Sequence, residues 1–261
     1  MLNLVDIAFV VDTTASMGGF LNSAKTRMSG IITELATSAD IDLRVVLIDY
    51  RDHPPQDGSY PAKLQTGKTP VSVQSFDRTL RQMNMGSGGD HAESVLDGVD
   101  MLTEVEWREH SRRIAFLVGD APAHGYAASV GRYGGDAWPK GCPCGKTAES
   151  VSGNLEDLGI LLYGIVVSAD ADAQKCFELF SSLTGGSMVR GDGITEVKRL
   201  LGVEFGSLGF DAKVNEIVDL SPDWTVLSIA RSLSASPQDV ESSVIRLLSR
   251  DIIRDPAAVS A

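Results

Sequence analysis

Cysteine is scarce, with three among 261 residues. An odd, low count excludes a disulfide-stapled scaffold and fits a reducing compartment. No apolar run approaches the roughly 20 residues that a membrane span needs. The opening Met1-Leu2-Asn3-Leu4-Val5-Asp6 has no basic region and no cleavage site. No secretory signal is therefore expected, and the chain is expected to be soluble and cytoplasmic. Internal repeats and low-complexity tracts are missing as well, which sets aside solenoids and disordered tails. Positive charge is also short: 23 bases face 35 acids, for a net charge of −12. Such a surface repels nucleic acid and anionic membranes, so neither is expected as a partner.

What remains is ordinary globular material, 43% hydrophobic and 22% charged. A chain of this length hides roughly three quarters of its unfolded surface, enough for a sizeable core. Residues 4–11 form a short apolar run suited to a strand covered on both faces. A helical stretch follows from Phe20 to Ala39, its stripe made by Leu21, Met28, Ile31, Ile32 and Leu35. Further strands are expected at 41–48, 62–65, 113–118, 160–167 and 187–190, and helices near 75–84, 91–106, 146–158 and 171–183. Strand alternates with helix, which predicts a doubly wound α/β fold: a mostly parallel sheet with helices on both faces.

The stretch 119–145 is Gly-rich, irregular and longer than most loops of compact domains, so it is expected to be functional or mobile. Beyond about residue 205 the strand signal stops. Trp224–Leu233 and Pro237–Ile253 read as helices, the second opened by Ser236 with proline at its first position. The expected division is a domain over 1–204 and a helical extension over 205–261.

In an open α/β sheet, ligands sit beyond the carboxyl ends of the strands where strand order reverses. After the first strand comes Asp12-Thr13-Thr14-Ala15-Ser16-Met17, and after the 113–118 strand comes Gly119-Asp120-Ala121-Pro122-Ala123-His124-Gly125. Between them, Gly88-Gly89-Asp90-His91-Ala92-Glu93 opens an expected helix. Asp12, Thr14 and Ser16 alternate, so their oxygens can share one side of a turning loop, and Asp90 and Asp120 can add carboxylates. All five are hard oxygen donors, a set that suits Mg²⁺, with Mn²⁺ or Ca²⁺ as substitutes.

Asp12-Thr13-Thr14-Ala15-Ser16 after a hydrophobic strand resembles the D-x-S/T-x-S signature of von Willebrand factor type A (vWA) domains, over about residues 3–200. Gly88-Gly89-Asp90 and Asp120 fall at that family's second and third metal loops, and the turn Thr184-Gly185-Gly186 is similar too. The Asp-Thr-Thr-x-Ser-Met form, with Tyr50-Arg51-Asp52-His53 after the second strand, resembles a bacterial and kinase-associated branch. The resemblance implies a vWA domain over 1–204 and a metal-ion-dependent adhesion site (MIDAS) at Asp12, Thr14, Ser16, Asp90 and Asp120. Thr13, Gly89, His91 and His124 would then border the ion and face a partner.

The implied function is a Mg²⁺-dependent protein–protein interaction module, not an enzyme, whose ion binds an acidic side chain of a protein partner. A small-molecule substrate is not expected. An adaptor or regulatory role in a bacterial multi-protein system, beside ATPases, goes with that implication. Integrin-like inserted vWA domains carry Thr in the second loop, where this sequence offers Asp90. A third carboxylate makes the ion a weaker electrophile, so tighter metal retention or weaker recruitment of acidic ligands is expected.

Each residue also has a plainer reading. Asp90 with Glu93 fits a capping box, Thr14 and Ser16 fit helix caps, and Asp120 fits a turn. Asp6 reads as an edge or partner-bonded acid, and His53 and His91 are expected to face solvent. Cys142 and Cys144 with His124 make three zinc-type ligands where a structural site needs four, and Cys176 lies on a distant helix. Reduced loop thiols are therefore expected. Gly-Lys-Thr at 67–69 and 145–147 lacks the upstream glycine of a phosphate loop, since Ala62 and Lys140 hold those positions. The tail outlines a helix-turn-helix, but residues 221–261 carry five acids against four arginines, a poor footprint for DNA. Two rival functions stand beside the module. A haloacid-dehalogenase-like Mg²⁺-dependent phosphotransferase would use Asp12 as nucleophile, yet Thr14 replaces its usual Asp and no second acid follows Asp120 closely. A metal-independent scaffold would bind through the tail or loops.

Overall fold

The structure, a computed structural model, describes residues 2–38, 40–127, 135–221 and 223–254. Six strands form one sheet among them: β1 (Leu4–Asp12), β2 (Asp42–Tyr50), β3 (Ala62–Leu64), β4 (Arg112–Gly119), β5 (Ile160–Val166) and β6 (Met188–Arg190). Their order is β3-β2-β1-β4-β5-β6, and every neighbouring pair is parallel except β2 with β3. This is the expected α/β fold with a mixed, mostly parallel sheet. Strand order reverses between β1 and β4, so the carboxyl ends of those two strands flank the crevice where such folds hold ligands.

Alternating side chains of the central strands feed two cores. On one face Val5, Ile7, Phe9 and Val11 pack with α1 (Gly18–Ser38), α2 (Val73–Gln82) and the first half of α6 (Gly193–Leu220). On the other face Ala8 and Val10 pack with α3 (Val95–Asp100), α4 (Ala148–Asp157) and α5 (Ala171–Ser182). The expected stripe of α1 is the buried one, with Leu21, Met28 and Ile32 inside and Ile31 and Leu35 partly covered. Asp6 lies inside central β1 and is paired, accepting from Arg108 Nε at 2.7 Å and Arg108 N at 2.9 Å.

Two expectations change. The helix read over 91–106 is only α3 plus a 3-10 turn, Met101–Glu104, and its N-cap is Ser94. The residues before it are not helical: the chain bends at Asp90 and His91, and Glu93 bridges to Ala123. Asp90 therefore caps nothing. The second change is α6, which runs unbroken through the expected 204/205 boundary. Its early turns bury Ile194, Val197, Leu201 and Phe205 against the sheet, and its later turns bury Val214 in a separate cluster. That cluster joins α6 to α7 (Val226–Leu233) and α8 (Pro237–Leu248) through Trp224, Ile229, Val240 and Leu247. Part of the 119–145 stretch, residues 128–134, lies outside the described residues.

Candidate functional site

Beyond Asp12 the chain stays beside β2 for one more residue, because Thr13 N donates to Tyr50 O at 3.0 Å. It then turns. Thr14 occupies the N-cap position of the 3-10 turn Ala15–Met17 but makes no capping bond with its side chain. Its hydroxyl instead donates to Asp12 Oδ1 at 2.7 Å, joined there by the Thr14 amide at 2.8 Å. Ser16 Oγ lies 3.3 Å from Thr14 Oγ1 and donates to Asp120 Oδ1 at 3.1 Å. Asp120 directly follows β4, and its carbonyl accepts from Ser168 Oγ at 2.8 Å. Two strand ends thus bring Asp12, Thr14, Ser16 and Asp120 onto one spot at the switch point. Asp12 forms the buried floor and Ser16 is exposed at the mouth.

The fifth expected residue, Asp90, is not brought to that spot. Its carboxylate accepts from Ala137 N and groups with His124 and Asp136. The acid that the site's charges act on most is Glu93, where Asp12 exerts the largest electrostatic effect after burial, ahead of Asp52, Asp90 and Asp120. Gly88 explains the approach: it is left-handed, at φ +71°, and a Cβ there would press on Thr14 and on Glu93 Oε1. Read as a helix, 90 and 93 share a face; the bend at Asp90 and His91 ahead of the Glu93 bridge instead sends the two acids to different groups. The acidic residue three places on was the available signal, and its reading as the second member of a capping box hid it.

Electrostatics mark the site as short of positive charge. Burial, with the Asp120 charge behind it, pushes the Asp12 carboxyl up to about 8. Burial, then Asp12, Asp52, Asp90 and Asp120, pushes Glu93 up to about 11. Asp12 Oδ2 and Glu93 Oε2 are both buried without a hydrogen-bond partner. Unsatisfied buried carboxylate oxygens are costly, and a divalent cation bound among hard donors would satisfy them.

The partner-facing residues divide. Gly89 is exposed. Thr13 and His124 are fully buried, so neither lies on a surface that a partner could touch. Thr13 Oγ1 donates to Asp49 Oδ2 at 3.1 Å. His124 stands between Asp52 Oδ1 at 2.8 Å and Asp136 Oδ1 at 3.0 Å, and Trp138 packs edge-on against its ring. Burial would lower its pKa, but the two carboxylates outweigh burial and raise it. His91 and His53 do not face solvent as expected: their side chains are 14% and 12% exposed and pair with Asp170 and Asp97. The expected free loop thiols are joined instead, Cys142 with Cys144.

Residues 6–129, just under half of the chain, match the model of the von Willebrand factor A domain. Over 162 residues, 61% of this chain, the sequence is 26% identical to the alpha-protein kinase vwkA of Dictyostelium discoideum. That segment is 24% of the kinase, so the chain spans about a quarter of that relative. Solved structures share the fold at low identity. The conserved hypothetical protein BatB of Bacteroides thetaiotaomicron is 12% identical with a TM-score of 0.51, over 78% of this chain and 98% of that one. The pilus adhesin SpaC of Lactobacillus rhamnosus GG is 14% identical with a TM-score of 0.53, over 79% and 30%. Proximal thread matrix protein 1 of the mussel byssus, solved with a zinc-occupied MIDAS motif, is 14% identical with a TM-score of 0.51, over 78% and 46%. The fold is α/β, and over residues 6–129 the chain is similar to the von Willebrand factor A domain.

Proposed function

We propose that the chain is a protein-interaction module in which Asp12, Thr14, Ser16 and Asp120 hold a divalent cation that binds an acidic side chain of a protein partner. The carrying observation is their convergence at the β1/β4 switch point, with Asp12 Oδ2 buried and lacking a donor. Two hydroxyls and two carboxylates are hard donors, which favours Mg²⁺, with Mn²⁺ or Ca²⁺ as substitutes. When bound, the ion supplies positive charge and an open position for an incoming carboxylate. Glu93 takes the place expected of Asp90, so the third acid is retained and tight metal retention is still expected. Ser16 and Asp120 border a groove between Gly19, Phe20 and Ser23 of α1 and the Gly191-Asp192 turn, and this is the surface assigned to the partner.

A pilus adhesin and a thread protein with a zinc-occupied MIDAS motif among the structures of similar fold support metal-linked adhesion as the general role. Similarity to part of a kinase supports a regulatory setting. We extend the reading to a non-enzymatic adaptor in a cytoplasmic, bacterial multi-protein system that works beside ATPases. Non-enzymatic use is supported by Asp12 itself, fully buried with Oδ1 taken by Thr14, a poor presentation for a nucleophile. The test is capture of partners in Mg²⁺ and in EDTA, with Asp12→Ala alongside. A partner lost in both EDTA and the variant supports the module; a partner kept in both moves binding to the tail or loops. Turnover of a phosphate ester that Asp12→Asn abolishes would restore the phosphotransferase.

A further inference from the structure

A second set of ligand-type side chains lies apart from the acidic site. His53 comes from the β2–β3 connection, Asp97 from α3, and Cys142 and Cys144 from the segment after β4. His53 Nε2 is 2.9 Å from Asp97 Oδ2 and 3.2 Å from Cys142 Sγ. Asp97 Oδ2 is 3.2 Å from Cys142 Sγ and 3.6 Å from Cys144 Sγ. All four ligand atoms lie within 4.8 Å of one another. Bonds of about 2.0–2.3 Å place the ligands of a tetrahedral zinc ion roughly 3.3–3.8 Å apart, close to this spacing. His124, the histidine that the sequence set beside the two cysteines, is not part of this cluster; His53 and Asp97, brought in by tertiary contact, complete it.

We propose that the reduced chain binds one Zn²⁺ through His53 Nε2, Asp97 Oδ2, Cys142 Sγ and Cys144 Sγ. One nitrogen, one oxygen and two sulfurs form a donor set that selects zinc over the Mg²⁺ suited to the oxygen-only site. Asp97 Oδ1 accepts from Lys146 Nζ at 2.9 Å, which leaves Oδ2 turned toward the other three ligands. Such outer partners orient a metal-bound carboxylate. Two thiolates and a carboxylate exceed the ion's charge by one, and Lys146, which Asp97 shares with Asp100 at 3.5 Å, offsets part of that excess. Asp97 and Cys142 are buried while Cys144 is exposed, so the site is shielded yet has an entry path.

Cys142 and Cys144 are joined by a disulfide in the structure, so loading begins with a dithiol reductant. The S–S bond breaks, both sulfurs gain hydrogen, and the reductant's own sulfurs join; Zn²⁺ then displaces two protons to solvent. The ion fastens the 135–147 segment, which has no helix or strand, to the sheet and α3.

The full chain, purified with a reductant, is assayed for metal by elemental mass spectrometry. One zinc per chain is expected, lost in the double variant Cys142→Ser/Cys144→Ser, kept in Asp12→Ala, and held about tenfold more weakly in Lys146→Met. Replacement with Co²⁺ reads the wild type directly, should the cysteine variant fail to fold. Thiolate-to-cobalt charge transfer with intense tetrahedral d–d bands is expected. A reduced chain without zinc or these bands overturns the proposal, as does a cysteine pair that stays oxidised in reductant. Zinc kept by the cysteine variant but lost in Asp12→Ala also overturns it.

Discussion

Asp12 serves two requirements: it ends a buried strand, and it carries a charge that burial opposes. Asp12→Asn replaces the ionisable carboxyl by a neutral amide, a much weaker metal donor. The metal-free variant is expected to melt above the wild type at neutral pH, because folding the wild type must hold protonated a carboxyl that ionises freely in the unfolded chain, and the amide has no such cost. The wild type gains about 2.7 kcal/mol at a Mg²⁺ concentration 100 times its Kd, and the variant gains much less at the same concentration. Thermal unfolding with and without Mg²⁺ reads both. Glu93 and Asp90 are separated by the same assay. Glu93→Gln is expected to weaken Mg²⁺ about tenfold, whereas Asp90→Asn leaves the affinity unchanged, since Asp90 answers to Ala137 and the His124 group. Equal losses would place Asp90 at the ion. Cys176 is 1% exposed, and burial pushes its thiol up to about 12. About one chain in ten thousand then carries its thiolate at pH 8. Alkylation of Cys176 is expected only after unfolding.

At the scale of elements, α6 is the unbroken link between sheet and tail. Asp211 on its buried side is fully covered and accepts from Ser243 Oγ at 2.7 Å and from Arg246, both on α8. Arg112 of β4 lies 3.6 Å away and also pairs with Glu204 of α6. This network ties tail, helix and sheet together. Asp211→Ala would leave two guanidinium groups facing each other with less compensation, and burial already lowers the Arg112 pKa. Removing one member of a buried ion pair costs about 3–5 kcal/mol, so urea unfolding should show a loss of that size. A loss under 1 kcal/mol would mean that the tail is held by its apolar cluster alone. The periodicity of α1 and the capping signal of α8 were readable because both are local. Ser236 caps α8 as the sequence suggests, accepting from Asp239 N. The start of α3 was not readable, since the bridge between Glu93 and Ala123 is a contact across thirty residues.

Over the whole molecule, charge makes metal and pH interdependent. Folded, metal-free Asp12 keeps its proton to about pH 8, while the unfolded chain loses it near 3.8. The folded state then binds more protons, so stability falls as pH rises through that window. His124 acts with the same sign. Its pKa is raised, so its contribution is complete below the ordinary 6.5 and is lost as pH climbs through the raised value. Urea unfolding in EDTA should therefore show stability declining from acid toward pH 8. Excess Mg²⁺ should offset the decline, because binding needs the deprotonated carboxylates. A flat metal-free profile would refute both assignments. His124→Gln should remove only the upper part of the slope.

Local pattern alone was enough for the alternation of strands and helices, and for the switch-point loops bearing Asp12, Thr14, Ser16 and Asp120. Those features depend on residues close in sequence and on the general geometry of parallel sheets. Tertiary structure decided the rest. It grouped Asp90 with His124 and Asp136, set Glu93 and Thr14 against opposite sides of the space a Gly88 side chain would fill, buried Thr13 and His124, and gathered His53, Asp97, Cys142 and Cys144 from three segments. The physical reason is range. A buried charge or a four-ligand cluster is settled by which distant segments meet, and burial and pairing energies act only once they have met.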